Sequence, residues 1–353
     1  MKKTVKYSLI AFITFDVIAA GLILCYLFLA KSYWSAPKEI IVVENVQNDS
    51  KLISDKSTQA HAFTEILIEK GQSFNVIVQQ LEDADIIDNP LLFKIFSYAN
   101  KHHNKYLAGY YQFEQGQSPK QVSQKMVDGD VAIFALTFPE GWLSEQIIAT
   151  IQAEKHLAGE IKEIPSEGSL LPETYHFSHG EERANIIANM QAEMAKTLEL
   201  EWQNRAENLP YENKEDALIM ASIIEKETGV APEREKIAAV FVNRLKLGMK
   251  LQSDPTANYG IYKEVGELKK QLNSKDIEHY SVYNTYIIAG LPATPICNFG
   301  RASLHAALNP AKSDNLYFVA NGEGGHNFAR NLSEHNRNVA EYRRKMQLRS
   351  VKE

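Results

Sequence analysis

Two cysteines, Cys25 and Cys297, are all that this chain of 353 residues contains. One lies in an apolar run near the N-terminus and the other far along the chain, so neither a disulfide framework nor a sulfur-based metal cluster can be built. A basic surplus is missing too: 38 Lys and Arg stand against 44 Asp and Glu, a formal charge of −6. That argues against a nucleic-acid partner, whose affinity rests on neutralising phosphates. There is no HExxH pair, no GxSxG elbow, no phosphate loop and no dinucleotide fingerprint. His176 and His179, or His326 and His335 with Glu323 and Glu334, do not have metal-ligand spacing. No metal and no cofactor is therefore expected. Internal repeats and low-complexity tracts are absent as well. What remains is an ordinary globular composition, 44% hydrophobic and 23% charged, long enough for a short anchor and two or three folded units.

Only one long apolar run is present. Lys2, Lys3 and Lys6 precede Leu9 to Ala30, interrupted by Thr14 and Asp16 alone. Roughly 20 apolar residues span a bilayer as helix, and the run is longer than the core of a cleavable signal. The expectation is a retained single-pass anchor over 7–30 in the inner membrane. Residues 1–6 then stay in the cytoplasm and the bulk of the chain lies in the periplasm, with Tyr33 and Trp34 at the outer interface. Asp16 within a span costs about 2.5–3.5 kcal/mol on insertion scales; it reads either as a residue close to the inner face or as a contact with another membrane protein. Residues 31–60, rich in Asn, Ser, Lys and Asp towards their end, read as a polar tether.

From Phe63 the pattern becomes regular. A strand over 63–68, helices over 74–81 and 90–100, a strand over 109–113 and a helix opening at Ser118-Pro119 are predicted from alternation, caps and glycine stops. This layout, over residues 61–135, resembles the LysM-like module that grips glycan chains. The rest, 136–350, reads as a mostly helical domain with short strands: helices over 143–151, 182–202, 213–229, 233–247, 303–308 and 331–352, and a strand over 316–320. The expected class is α+β.

Glu225 ends the apolar run Ala217–Ile224. A carboxylate carried into an apolar wall is disfavoured in its charged form, which is how a glutamate becomes a proton donor at neutral pH; oligosaccharide cleavage needs such a donor. The competing reading makes it an end-of-helix glutamate paired with Arg234 or Arg244. Glu227, about 200° round the same helix at ~100° per residue, reads as a surface or ion-pair residue. Gln252, Ser253, Asp254 and Thr256 gather hydrogen-bonding groups as a sugar-binding wall would, or form an ordinary Asp-Pro turn. Tyr283, Asn284 and Tyr286 supply aromatic faces and amide groups suited to sugar rings, or pack as a β-turn.

Six ordered blocks carry a more specific message: EGSLLPETY (167–175), ASIIEKETG (221–229), VFVNRLKLGMKLQSDPT (240–256), YNTYIIAGLP (283–292), AALNP (306–310) and YFVANGEGGHNFARNLSEHN (317–336). Together they resemble the YceG-like endolytic murein transglycosylases. Val282, Ala293-Thr294 and Phe299 depart from that pattern within loops. The resemblance implies that Glu225 is the acid and that the substrate is the β-1,4 bond between N-acetylmuramic acid and N-acetylglucosamine. It also implies a 1,6-anhydro product made without water, and a place beside wall-synthesis enzymes. Gln252, Asp254, Tyr283, Asn284 and Tyr286 would position the sugars. Two rivals stay open: a muramidase using Asp254 as second carboxylate, and a non-catalytic wall-binding scaffold.

Overall fold

The computed structural model describes residues 18, 20, 21, 23–37 and 63–350. The chain divides into two compact units, up to Phe134 and from Ala135 onward. Residues 38–60 of the tether and most of the expected anchor, Asp16 included, fall outside the described residues. Among the described residues no helix is long and apolar enough to cross a membrane.

The first unit is built on one antiparallel pair, Phe63–Ile68 (β1) and Gly109–Glu114 (β2), in a register that sets Ile66 opposite Tyr111. Between them run Phe74–Asp83 (α1) and Pro90–Ala99 (α2), and Pro119–Asp128 (α3) follows. Each helix starts where a side chain meets a stranded amide: Ser73 accepts from Val76, Asn89 from Leu92, and Ser118 with Gln121 forms a capping box. Gly129 ends α3 in the left-handed region at φ 68°. Alternate strand residues point inward, so Ile66, Ile68, Tyr111 and Phe113 meet Val78, Leu81, Phe93, Val122 and Met126 in one core.

Trp34 joins that core, which corrects the reading that placed it at a membrane interface. It is 6% exposed, stacks on Phe96 at 5.4 Å between ring centroids and lies 5.6 Å from Phe93. Tyr33 is fixed beside it by a 3.2 Å hydrogen bond from its hydroxyl to the Asn89 carbonyl. Upstream, in the helical stretch 23–35, Leu24, Phe28 and Leu29 remain exposed.

The second unit is mainly helical. Ile133–Thr137 (β3) straddles the division and pairs with Thr174–Ser178 (β5), while the two-residue strands Leu157–Ala158 (β4) and Glu181–Glu182 (β6) pair in parallel. Ser144–Ala153 (α4), Arg183–Gln203 (α5), Lys214–Glu227 (α6), Arg234–Lys246 (α7), Asp254–Val265 (α8), Ser274–Glu278 (α9), Arg301–Leu308 (α10) and Leu332–Ser350 (α11) supply the rest. The core forms where α6 packs against α10 and α7. Small and branched residues make that possible: Ala217, Ala221, Ile223 and Ile224 meet Leu304, Ala307, Leu308, Ile237 and Phe241, all essentially unexposed.

Two segments differ in detail from their sequence readings. The Asp-Pro turn is the start of α8, because Pro255 sits in the first helical turn, where its missing N–H costs nothing. The strand expected over 316–320 is present as Tyr317–Ala320 (β7), half-buried and paired in a hairpin with His326–Ala329 (β8).

Candidate active site

Glu225 owes its position to both ends of α6. Asn213 caps the N-terminus by accepting from the Asp216 amide at 3.0 Å, with Glu215 and Asp216 in the positive first turn. Near the other end, Ser222 turns its hydroxyl to the Ile219 carbonyl at 2.7 Å and accepts from the Ile296 amide at 3.0 Å. That stitch brings the loop 296–300 along the helix. The Gly300 amide thereby donates to Glu225 Oε2 at 3.1 Å. Arg234, at the start of α7, places Nη2 3.6 Å from Glu225 Oε1. The Glu225 side chain is 6% exposed. Of the two arginines that the sequence offers it, the partner is Arg234. Arg244 is buried elsewhere, donating to the carbonyls of Leu251 and Leu316.

The same loop gathers other segments. Asn298 accepts from the Leu170 amide through Oδ1 and donates through Nδ2 to Ser144 at 2.9 Å and to Glu167 at 3.2 Å. Its carbonyl takes the Gly141 amide at 2.8 Å. Glu167 accepts from the Ser144 amide at 2.9 Å and so caps α4; burial pushes its carboxyl up, against the two Ser144 hydrogen bonds. These bonds lay Glu140-Gly141-Trp142 over the Glu225 end of α6. Sequence reasoning assigned Glu140, Glu167 and Arg234 no part in binding; the first of them follows a strand end with no pattern to mark it.

Glu227 differs from its expected place at the surface. The Ser253 hydroxyl donates to its carboxylate, and burial, with Asp254 nearby, pushes its pKa up to about 7 despite that bond and the Arg244 charge. Its side of α6 therefore faces the 252–256 segment. Gln252 is exposed, with a left-handed backbone at φ 52° and its amide on the Thr285 carbonyl. Asp254 is exposed and accepts from the Tyr286 hydroxyl at 2.6 Å; burial and this carboxylate both hold the Tyr286 phenol protonated. Tyr283 stands edge-on to Tyr259 at 4.9 Å and accepts from Thr294. Asn284 does not fit its expected role towards sugars. It is buried, and its amide is spent on the Ile277 and His279 carbonyls and the Tyr286 amide. It holds the tyrosine loop.

The structure thus brings Asp254 and Tyr286 into contact and Glu225 to Arg234, while Tyr283 packs on Tyr259 and Gln252 bonds through its backbone to Thr285. Glu227, on the same helix as Glu225, meets Ser253. A cleft of about 530 Å³ is lined by Lys226, Asp254, Tyr259, Leu143 and Ile296, and one of about 380 Å³ by Arg234, Glu201, Arg301 and His305. Glu201 is held charged by His305 and Arg301 against the opposing effect of its burial.

A sequence model of the YceG-like family matches residues 66–341. The chain belongs to this family. An endolytic murein transglycosylase of Bacillus subtilis is 32% identical over 335 residues, covering 85% of this chain and 88% of that protein. One from Streptococcus pneumoniae is 28% identical over 343 residues, covering 83% of this chain and 60% of that protein. A crystal structure of a YceG-like protein from Listeria monocytogenes shares 31% identity over 79% of this chain and 99% of that one, with a TM-score of 0.47. All six sequence blocks of this YceG-like chain lie within the family match.

Proposed function

We propose that this chain is an endolytic peptidoglycan lytic transglycosylase in which Glu225 is the acid. The observation that carries the reading is Glu225 itself: a shielded carboxyl at the end of a rigid buried helix, oriented by the Gly300 amide in a member of the YceG-like family. Protonated Glu225 gives its proton to the glycosidic oxygen as the bond to the muramic C1 breaks through an oxocarbenium-like state. The carboxylate left behind then takes the proton of the same sugar's C6 hydroxyl, whose oxygen closes on C1. The products are a shortened strand and a 1,6-anhydro end; no water enters, and Glu225 is returned protonated. One carboxyl suffices, whereas a hydrolase needs two carboxyls about 5–5.5 Å or 6.5–9.5 Å apart.

Tyr283 and Tyr286 offer faces on which sugar rings stack, and Gln252 and Asp254 polar groups for hydroxyls. The β-α-α-β arrangement of the first unit supports a LysM-like module holding the same glycan strand, and the lysine-flanked apolar run supports an inner-membrane anchor. The wall-synthesis machinery is the natural neighbour of an enzyme so placed.

Mass spectrometry of peptidoglycan treated with the protein and with Glu225→Gln tests the reading. Anhydro-muramic ends that vanish in the variant establish it. Reducing ends point instead to hydrolysis with a second carboxylate, Asp254 or the Glu140 that shares Arg234 with Glu225, and no cleavage by either protein points to a binding scaffold.

A further inference from the structure

Arg234 is shared. Its Nη2 atom lies 3.4 Å from Glu140 Oε2 and 3.6 Å from Glu225 Oε1, and its side chain is 12% exposed. The Glu140 side chain is 42% exposed, yet its carboxyl is held in place. Its carboxyl lies against Gly300, so closely that a Cβ on that glycine would fall 1.5 Å from Glu140 Oε1. This is the same glycine whose amide donates to Glu225. The neighbouring Gly141 is pinned by the Asn298 carbonyl through its amide and by Lys226 Nζ, 3.3 Å away, through its own carbonyl. A Cβ there would meet Glu225 Cγ at 3.8 Å. Two carboxyls, one guanidinium and one peptide N–H thus form a single built unit.

An acid beside a lone arginine is poorly suited to donate a proton, because the cation favours its ionised form. A second carboxylate on the same guanidinium opposes that effect. We propose that Glu140 is a positioning residue of this centre, holding Arg234 between two carboxylates so that the group keeps one proton for the glycosidic oxygen. The inference rests on the transglycosylase reading with Glu225 as acid. The charged groups that act on Glu140 are Glu225 on α6, Arg234 on α7, and Glu173 just before β5, with Lys226 engaged by the neighbouring Gly141 carbonyl. Burial and the Glu225 charge raise the Glu140 carboxyl, Arg234 opposes this, and Glu173 adds to it. With both carboxylates charged the trio of two glutamates and Arg234 carries −1, and with one proton it is neutral.

The test is the pH profile of anhydro-muramic product formation by the full-length protein, Glu140→Gln, Arg234→Gln and the double variant. Activity falls on the alkaline side as the shared proton is lost. Removing the Glu140 charge moves that limb about one pH unit lower, so Glu140→Gln loses about tenfold at pH 7.5 and little at pH 5. Arg234→Gln moves the limb the other way, and the double variant lies between the two. A limb that stays in place in Glu140→Gln, whether activity is unchanged or scaled evenly, overturns the proposal. Inactivity at every pH with circular dichroism intact also overturns it, by placing Glu140 on the substrate. Glu225→Gln, run alongside, separates the two claims. Product from that variant defeats the assignment of the acid, whereas a dead Glu225→Gln with an unmoved Glu140→Gln limb defeats this inference alone.

Discussion

Glu227 and Ser253 are joined by a hydrogen bond that ties the end of α6 to the start of α8. The carboxyl end of this bond is held up at about 7 rather than 4.5, chiefly by burial. A carboxyl whose proton is held more tightly in the folded state takes stability away as pH rises from its unfolded pKa to its folded one. Glu227 therefore costs nothing below about pH 4.5 and progressively more up to about pH 7, of order 1–3 kcal/mol once partial solvent access is allowed for. In Glu227→Gln this penalty is removed. The difference in urea midpoint between variant and wild type should be small at pH 4.5 and should grow in the variant's favour towards pH 7.5. A difference that is flat with pH would show that Glu227 titrates normally.

Gly300 has an ordinary extended backbone, φ −80°, so nothing but space forbids a side chain there. The atoms in the way are the far end of Glu140, which can swing out. Gly300→Ala should therefore fold, with stability within about 1 kcal/mol of wild type, while displacing Glu140 from Arg234. Its pH profile should copy that of Glu140→Gln, and combining the two substitutions should add little, because both break one contact. Additive losses would place the effect of the alanine on the Gly300 amide and Glu225 instead.

Asp254 and Tyr286 separate transglycosylation from hydrolysis. If Asp254 only orders the sugar-binding loop through the Tyr286 hydroxyl, then Tyr286→Phe and Asp254→Asn should each raise KM a few-fold and leave the anhydro product unchanged. The loss of one such hydrogen bond to a charged group amounts to about 1.5–3 kcal/mol at most. A second essential carboxylate would make Asp254→Asn as severe as removal of the acid, typically 10²–10⁴-fold. Steady-state rates with product analysis distinguish the two.

Much of the fold was legible because its signals are local. The helix starts expected at 74, 90, 118–119 and 213 lie within a residue or two of those in the structure, and the alternation in 63–68 announced β1. Asp254-Pro255 misled, since the same dipeptide opens both a turn and a helix, and only packing of Ala257, Tyr259 and Ile261 into the unit decides between them. At the candidate site, the apolar run is what nominated Glu225. Glu140 was not, because its partner Arg234 lies 94 residues away in sequence and is brought there by the Asn298 and Ser222 stitches. Asn284 misled in the opposite sense: an amide between two tyrosines looks like a sugar reader until the carbonyls of Ile277 and His279 are seen to consume it.

Trp34 illustrates the same limit, and it can be tested. Next to an apolar run, a Tyr-Trp pair carries the composition of an interfacial anchor. In the folded chain the indole instead fills the space between Phe93 and Phe96, and Tyr33 is bonded to Asn89. Removing a buried Trp side chain costs about 3–5 kcal/mol when the site stays open, a large share of the stability of a unit this small. Trp34→Ala should therefore raise amide exchange across β1, β2 and α2 by two orders of magnitude or more, and should expose α1–α2 to limited proteolysis. Exchange in α6 and α10, whose core is separate, should be unchanged. Trp34→Phe, which keeps an aromatic ring against Phe96, should recover most of the protection. Unaltered exchange in the first unit of Trp34→Ala would return Trp34 to the interfacial role that its sequence context suggests.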